Sequence, residues 1–203
     1  MKALILVDMQ RDFLPEGAWE LPGAEAVVAV ANRIQRRFRI VAATQDWHMK
    51  SHKIFAINHD NRSVGEVISF KKQEFRLTVP HCVQKTPGAE LAPALNREFI
   101  QKVFYRGMDS DVNGSSAFLE NDRRTSTGLT EFLRARKASE VWVMGFSPDG
   151  AVLQTALDAQ SLGFPSRIIE DGVAMPPQTL EQRAAEDAAI DEAGIVRVPS
   201  AAI

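Results

Sequence analysis

The stretch VWVMGFSPDGAV, Val141 to Val152, decides the fold. Its first half is a continuous apolar run, the pattern of a strand buried on both faces of a parallel sheet. Ser147, Pro148, Asp149 and Gly150 then make a turn. From Ala151 the apolar residues Val152, Leu153, Ala156, Leu157 and Ala159 recur at helical spacing. In α/β enzymes a strand–turn–helix of this kind often presents a nucleophile. This turn offers Ser147, Asp149, Gly150 and Ala151, and no cysteine.

The same alternation runs outward in both directions. Ala3 to Val7 reads as a strand ending at Asp8, and residues 23–38 carry helical spacing. The run 39–44 (RIVAAT) is a second strand, closing before Asp46. KVFY, 102–105, is a third, ending at Arg106. Residues 125–137 read as a helix, 140–145 as the fourth strand and 149–162 as a helix. SRIIED, 166–171, is the fifth strand. Residues 177–193 form a helix stopped by Gly194, and 195–199 the sixth strand. Strands alternating with helices predict an α/β, three-layer, doubly wound fold: one six-stranded, mostly parallel sheet with helices on both faces. With 203 residues the chain suits a single domain, 1–203. The long segment 47–101 is too long for a plain loop and is the place to expect function.

Bulk composition excludes several classes. The 24 basic residues are balanced by 26 acidic ones, so the net charge of −2 gives no pull toward nucleic acid or an anionic membrane. Arg36, Arg37, Arg39, Arg123 and Arg124 read as solvated faces. Ala3 to Val7 is too short for a secretory h-region, and no apolar run approaches a membrane span. Cys82 is the only cysteine, which rules out an intrachain disulfide and suits a cytoplasmic location.

In open parallel sheets, ligands bind beyond the carboxyl ends of the strands. There the sequence places Asp8, Asp46, His48, His52 and Arg106. Asp46 and His48 are two apart, so on an extended chain they face the same way. A carboxylate with imidazoles suits Zn²⁺, Fe²⁺ or Mn²⁺. Surface histidines that bind nothing would show the same spacing.

ALILVDMQRDF, ATQDWH, PHCV at 80–83, VFYRG at 103–107 and VMGFSPDGAVLQTALDA at 143–159 together resemble the nicotinamidase/pyrazinamidase branch of the isochorismatase-like cysteine hydrolases, over nearly the whole chain. The resemblance implies a nicotinamide-like or other small amide or acid as ligand, and one divalent metal held by Asp46, His48, His52 and His81. It also implies family members that are dimers or larger, hence a homo-oligomer. The family hydrolyses nicotinamide to nicotinate and ammonia with an Asp–Lys–Cys triad. Asp8 matches the aspartate, but Arg106 stands at the lysine and Ala151 at the cysteine. Cys82 matches a position that is not the nucleophile. The backbone N–H groups of Ser147 and Ala151 match the oxyanion donors, and the Phe146–Ser147 peptide is expected to be cis. Phe13 matches a pocket aromatic, Thr78 falls where another aromatic is usual, and His59 has no family role.

An alanine methyl cannot attack a carbonyl, so the expectation is a metal-binding protein deficient in cysteine-dependent amide hydrolysis. An engineered cysteine-to-alanine change would leave the lysine in place, so Arg106 favours natural divergence. Two alternatives keep activity: hydrolysis by a metal-activated water, or vinyl-ether cleavage with Asp8 as general acid. Ser147 as a substitute nucleophile lacks a predicted base beside it. Arg106 could equally be a structural ion-pair partner of Asp8, which would depress that carboxyl's proton affinity.

Overall fold

A computed structural model describes residues 1–71 and 73–203. Among these described residues eight strands and four α-helices follow in chain order: β1 (Lys2–Val7), α1 (Ala24–Ile34), β2 (Ile40–Asp46), β3 (Val67–Phe70), β4 (Gln73–Arg76), β5 (Lys102–Arg106), α2 (Leu129–Ala135), β6 (Glu140–Phe146), α3 (Ala151–Ser161), β7 (Ser166–Ala174), α4 (Leu180–Glu192) and β8 (Val196–Val198). Six strands form one parallel sheet in the order β5-β2-β1-β6-β7-β8, and β3 and β4 form a separate antiparallel hairpin. The order reverses between β1 and β6, which is the switch point where such sheets take ligands.

Side chains of the central strands alternate between two cores. Leu4, Leu6, Val41, Ala43, Trp142 and Met144 pack with α1 on one face. Ala3, Ile5, Val7, Ile40, Val141 and Val143 pack with residues of α2, α3 and α4 on the other. This period-two division of wholly apolar strands is what a sheet covered on both faces requires.

The six predicted strands are those of the sheet. Several boundaries move by a few residues, and the β3–β4 hairpin was not foreseen. The helix expected over 23–38 ends at Ile34 and tightens into a 3-10 turn, Gln35–Arg37. β7 continues to Ala174, past a register shift against β6. The segment 47–101 contains the β3–β4 hairpin, whose short strands carry only a weak alternation.

Candidate active site and metal centre

Four side-chain positions arise directly from the sheet. β5, β2, β1 and β6 lie side by side, so their carboxyl ends bring Arg106, Asp46, Asp8 and the Ser147 turn into one row. Asp46 and Arg106 are register partners, as are Val7 and Gly145. The segment after β2 closes on this row through two isolated parallel bridges, His48 with Val83 and Phe55 with Thr78. The first is made by His48 N–H on the Cys82 carbonyl and Gln84 N–H on the His48 carbonyl, at 3.0 and 2.9 Å. That is how His81 arrives beside His48. Asp12 supports it by accepting the Cys82 N–H at 2.6 Å.

Asp46, His48 and His81 offer donor atoms within 4.8 Å of one another, all buried. His48 Nε2 lies 2.8 Å and His81 Nε2 3.3 Å from Asp46 Oδ2. Each ring turns its other nitrogen to a main-chain carbonyl: His48 Nδ1 to Gly107 at 3.1 Å, His81 Nδ1 to Val79 at 2.9 Å. This is the outer contact that orients a metal-ligating imidazole. Asp46 Oδ1 is buried with no hydrogen-bond partner, an orphaned acceptor that a cation would satisfy. The donor set therefore fits a divalent ion.

His52 departs from the four-ligand expectation. Its ring stacks edge-on to His48, with centroids 4.4 Å apart, but both its nitrogens are engaged. Nδ1 accepts the Ile54 N–H at 3.1 Å, which leaves Nε2 to donate to the Val112 carbonyl at 3.2 Å. Burial and the neighbouring His48 push its pKa down to about 4. Phe55 packs against all three histidines, while His59 bonds the Lys53 carbonyl away from them.

The positions matched to the triad are equally buried. Asp8 is fully buried in a left-handed conformation, φ 48°. Its Oδ1 accepts from the Thr44 hydroxyl at 2.6 Å, and its Oδ2 takes Arg106 Nε at 2.7 Å and Nη2 at 2.5 Å. Arg106 Nη1 stands 3.6 Å from Asp46 and 4.0 Å from Asp149. Burial would lower the guanidinium's pKa, but Asp46, Asp8 and Asp149 together carry it well above its usual value. Burial would likewise raise Asp46, yet Arg106 and His48 hold it well below the carboxylate range. At Asp8 the balance goes the other way. Burial raises the Asp8 pKa, outweighing Arg106, which lowers the carboxyl's proton affinity as expected of the ion pair.

The turn after β6 uses its groups differently from the expectation. Among the described residues no peptide bond is cis, Phe146–Ser147 included. The chain turns instead on two glycines, Gly145 at φ 137° and Gly150 at φ 88°. Ser147 N–H is spent on the Ala174 carbonyl at 2.8 Å, pairing β6 to β7, and so is not an oxyanion donor. Its hydroxyl accepts the Val152 N–H at 3.1 Å, capping α3. Ala151 is fully buried at the first turn of α3. Cys82 is also buried, and burial pushes its thiol well up.

A cleft of about 890 Å³ opens above this row, walled by Trp19, Thr78, Asn113, Ser147 and Asp149 among others. Asp8, Arg106 and Ala151 lie beneath it, each at most 1% exposed. Phe13 is buried as well, so it is not a wall residue. It packs edge-on to Phe146 and tilted against His81, while Trp19 lies edge-on to His81 at 4.9 Å and does face the cleft.

Sequence reasoning missed Trp19, Gln10, Gly107 and Glu120. Gln10 lies inside the quoted VDMQRDF, where its polarity among strand-end residues was the available signal. Its carboxamide accepts the Asp46 N–H and donates to the Asp46 carbonyl, both at 2.8 Å. Arg123 is exposed, as read, and its guanidinium also donates to both oxygens of the buried Asp158.

Comparison with known proteins agrees with this geometry. An isochorismatase domain model matches residues 2–198. The nicotinamidase of Acinetobacter baylyi is 37% identical over 169 residues, 83% of this chain and 79% of that protein. The structure of PnC1 from L. infantum in complex with nicotinate is 33% identical with a TM-score of 0.85, covering 100% of this chain and 94% of that one. The pyrazinamidase of Pyrococcus horikoshii in complex with zinc is 28% identical with a TM-score of 0.76, covering 98% of both chains. The chain thus belongs to the isochorismatase family, in its nicotinamidase/pyrazinamidase branch.

Proposed function

We propose that this protein is a metal-binding nicotinamidase relative that takes a small nicotinamide-like amide or acid in the cleft and lacks cysteine-dependent amide hydrolysis. One observation carries the reading. At the start of α3, where the family resemblance expects a thiol, the buried side chain is the methyl of Ala151. Among the described residues, neither Ser147 nor Cys82 is placed to supply the missing nucleophile. The Ser147 hydroxyl caps a helix and the Cys82 thiol is buried with its pKa raised. A thiolate is the reactive form, and burial works against it.

The remaining residues support binding. Asp46, His48 and His81 would hold a zinc, iron(II) or manganese(II) ion, and such an ion supplies Lewis-acid polarisation of a ligand carbonyl. His52 would join only by giving up Val112 and Ile54. The cleft volume lies at the upper end of the range for small-molecule sites, so a single pyridine ring leaves room to spare. A second reading keeps a hydrolase with Asp8 as general acid, a role that burial favours by raising the carboxyl's pKa and the ion pair with Arg106 opposes.

Ammonia release from nicotinamide and pyrazinamide separates the readings. Loss of a triad nucleophile costs about 10⁶-fold, so the expected result is turnover at background. Ala151→Cys alone should stay near background, because the guanidinium of Arg106 cannot exchange a proton near neutral pH. Ala151→Cys with Arg106→Lys should release ammonia. Turnover by the unaltered protein at the rate of an active nicotinamidase would overturn the proposal.

A further inference from the structure

Glu120 lies between β5 and α2, in the polar string ENDRRTS that reads as solvated surface. Its side chain is nevertheless buried, with the residue 6% exposed. Oε1 accepts the Gly107 N–H at 2.9 Å, and Oε2 is buried without a partner. A Cβ at Gly114 would collide with that oxygen, so the backbone there is closed down on the carboxyl.

Gly107 links this carboxyl to the metal centre. The Arg106–Gly107 peptide is gripped on both sides: its carbonyl accepts the Trp47 N–H at 3.0 Å and its N–H goes to Glu120. The next carbonyl, that of Gly107, takes His48 Nδ1 at 3.1 Å. Gly107 is left-handed, φ 63°, and a Cβ on it would stand 2.5 Å from the His48 ring. With no side chain of its own, Gly107 is aimed by what holds its N–H.

We propose that Glu120 is a positioning residue of the buried centre, acting through Gly107 to hold His48 with its proton on Nδ1 and its Nε2 toward Asp46. The Nδ1–H bond to the Gly107 carbonyl, with Gly107 gripped by Glu120, sets the ring's direction and aims Nε2 at Asp46 Oδ2, 2.8 Å away, where an ion would take the place of any proton between them. The part of the inference that concerns an ion rests on the metal set proposed above. The tautomer does not. Burial raises the Glu120 pKa to about 7, and Oε1 can accept from Gly107 in either protonation state. A glutamine therefore reproduces the grip.

The test compares the unaltered protein with Glu120→Gln and Glu120→Ala. In metal-free protein at pH 8, long-range proton–nitrogen NMR of the imidazoles should show His48 protonated on Nδ1 in the parent and in Glu120→Gln. Glu120→Ala should show a mixture of tautomers. Zinc affinity, read by competition with a chromogenic chelator, should be within about threefold of the parent for Glu120→Gln. For Glu120→Ala it should be about 10- to 100-fold weaker. If Glu120→Ala does not fold, Glu120→Asp, one methylene too short to reach Gly107, takes its place. A parent His48 protonated on Nε2 alone, or a Glu120→Ala protein with parental tautomer and affinity, overturns the proposal. So does a Glu120→Gln protein as weak as Glu120→Ala, since a merely structural role would not be rescued. If the parent binds no zinc, the metal reading fails, and the tautomer comparison alone decides the role of Glu120.

Discussion

Glu120 is a carboxyl whose proton bears on folding. Its folded pKa is raised to about 7 from the usual 4.5 of a glutamate, with burial as the main cause. Between those two values the folded chain holds a proton that the unfolded chain has released. Stability should therefore fall as pH rises from about 4.5 to 7, then level off. The full shift corresponds to at most about 3 kcal/mol. Urea unfolding at pH 5 and pH 8 measures it, and Glu120→Gln should remove most of the difference; an unchanged pH dependence in that variant would show that other groups carry it. Residues such as Glu120 are not legible in sequence. A carboxyl in a polar loop reads as solvated, and only the fold reveals that Gly107 and Gly114 close around it. Asp8, Asp46 and Arg106 were legible because each directly follows or ends an apolar run, and a parallel sheet sends all such positions to one rim.

At the scale of elements, the β6–α3 turn depends on a close approach. Gly145 sits opposite Val7 at φ 137°, and a Cβ there would overlap the Val7 main chain. Gly145→Ala should cost at least about 3 kcal/mol, combining backbone strain with the lost β1–β6 contact. Chemical denaturation measures this, and a loss below about 1 kcal/mol would mean that the sheet can yield there. The central strands β1, β2 and β6 were readable because buried parallel strands are mostly apolar runs. The β3–β4 hairpin was not, since four-residue strands with half-exposed side chains resemble any polar loop. Three of the four expected metal ligands come together for a similar reason: Asp46 and His48 share a strand end, and a short bridge carries in His81. His52 has one nitrogen claimed by the Ile54 N–H of its own turn and the other by the distant Val112 carbonyl, a competition that spacing cannot reveal.

For the whole molecule, the metal proposal makes folding depend on ion supply. An ion bound only by the folded state at 100 times its dissociation constant adds about 2.7 kcal/mol. For a chain of this size that is a rise of roughly 5–10 °C in melting temperature. Differential scanning calorimetry with zinc and then with excess chelator tests it. No shift, together with less than about half an equivalent of metal after chelator-free purification, would remove the metal from the account. No helix of the described residues is long and apolar enough to cross a membrane. The ion pair between Asp8 and Arg106 has one more consequence. Removing either partner of a buried pair strands a charge, typically at a cost of 3–5 kcal/mol, which is a large share of an ordinary domain's 5–15 kcal/mol. Each residue thus preserves the other through the demands of folding alone. An aspartate that looks like the relic of a reaction would be retained across generations here even with no reaction left to serve.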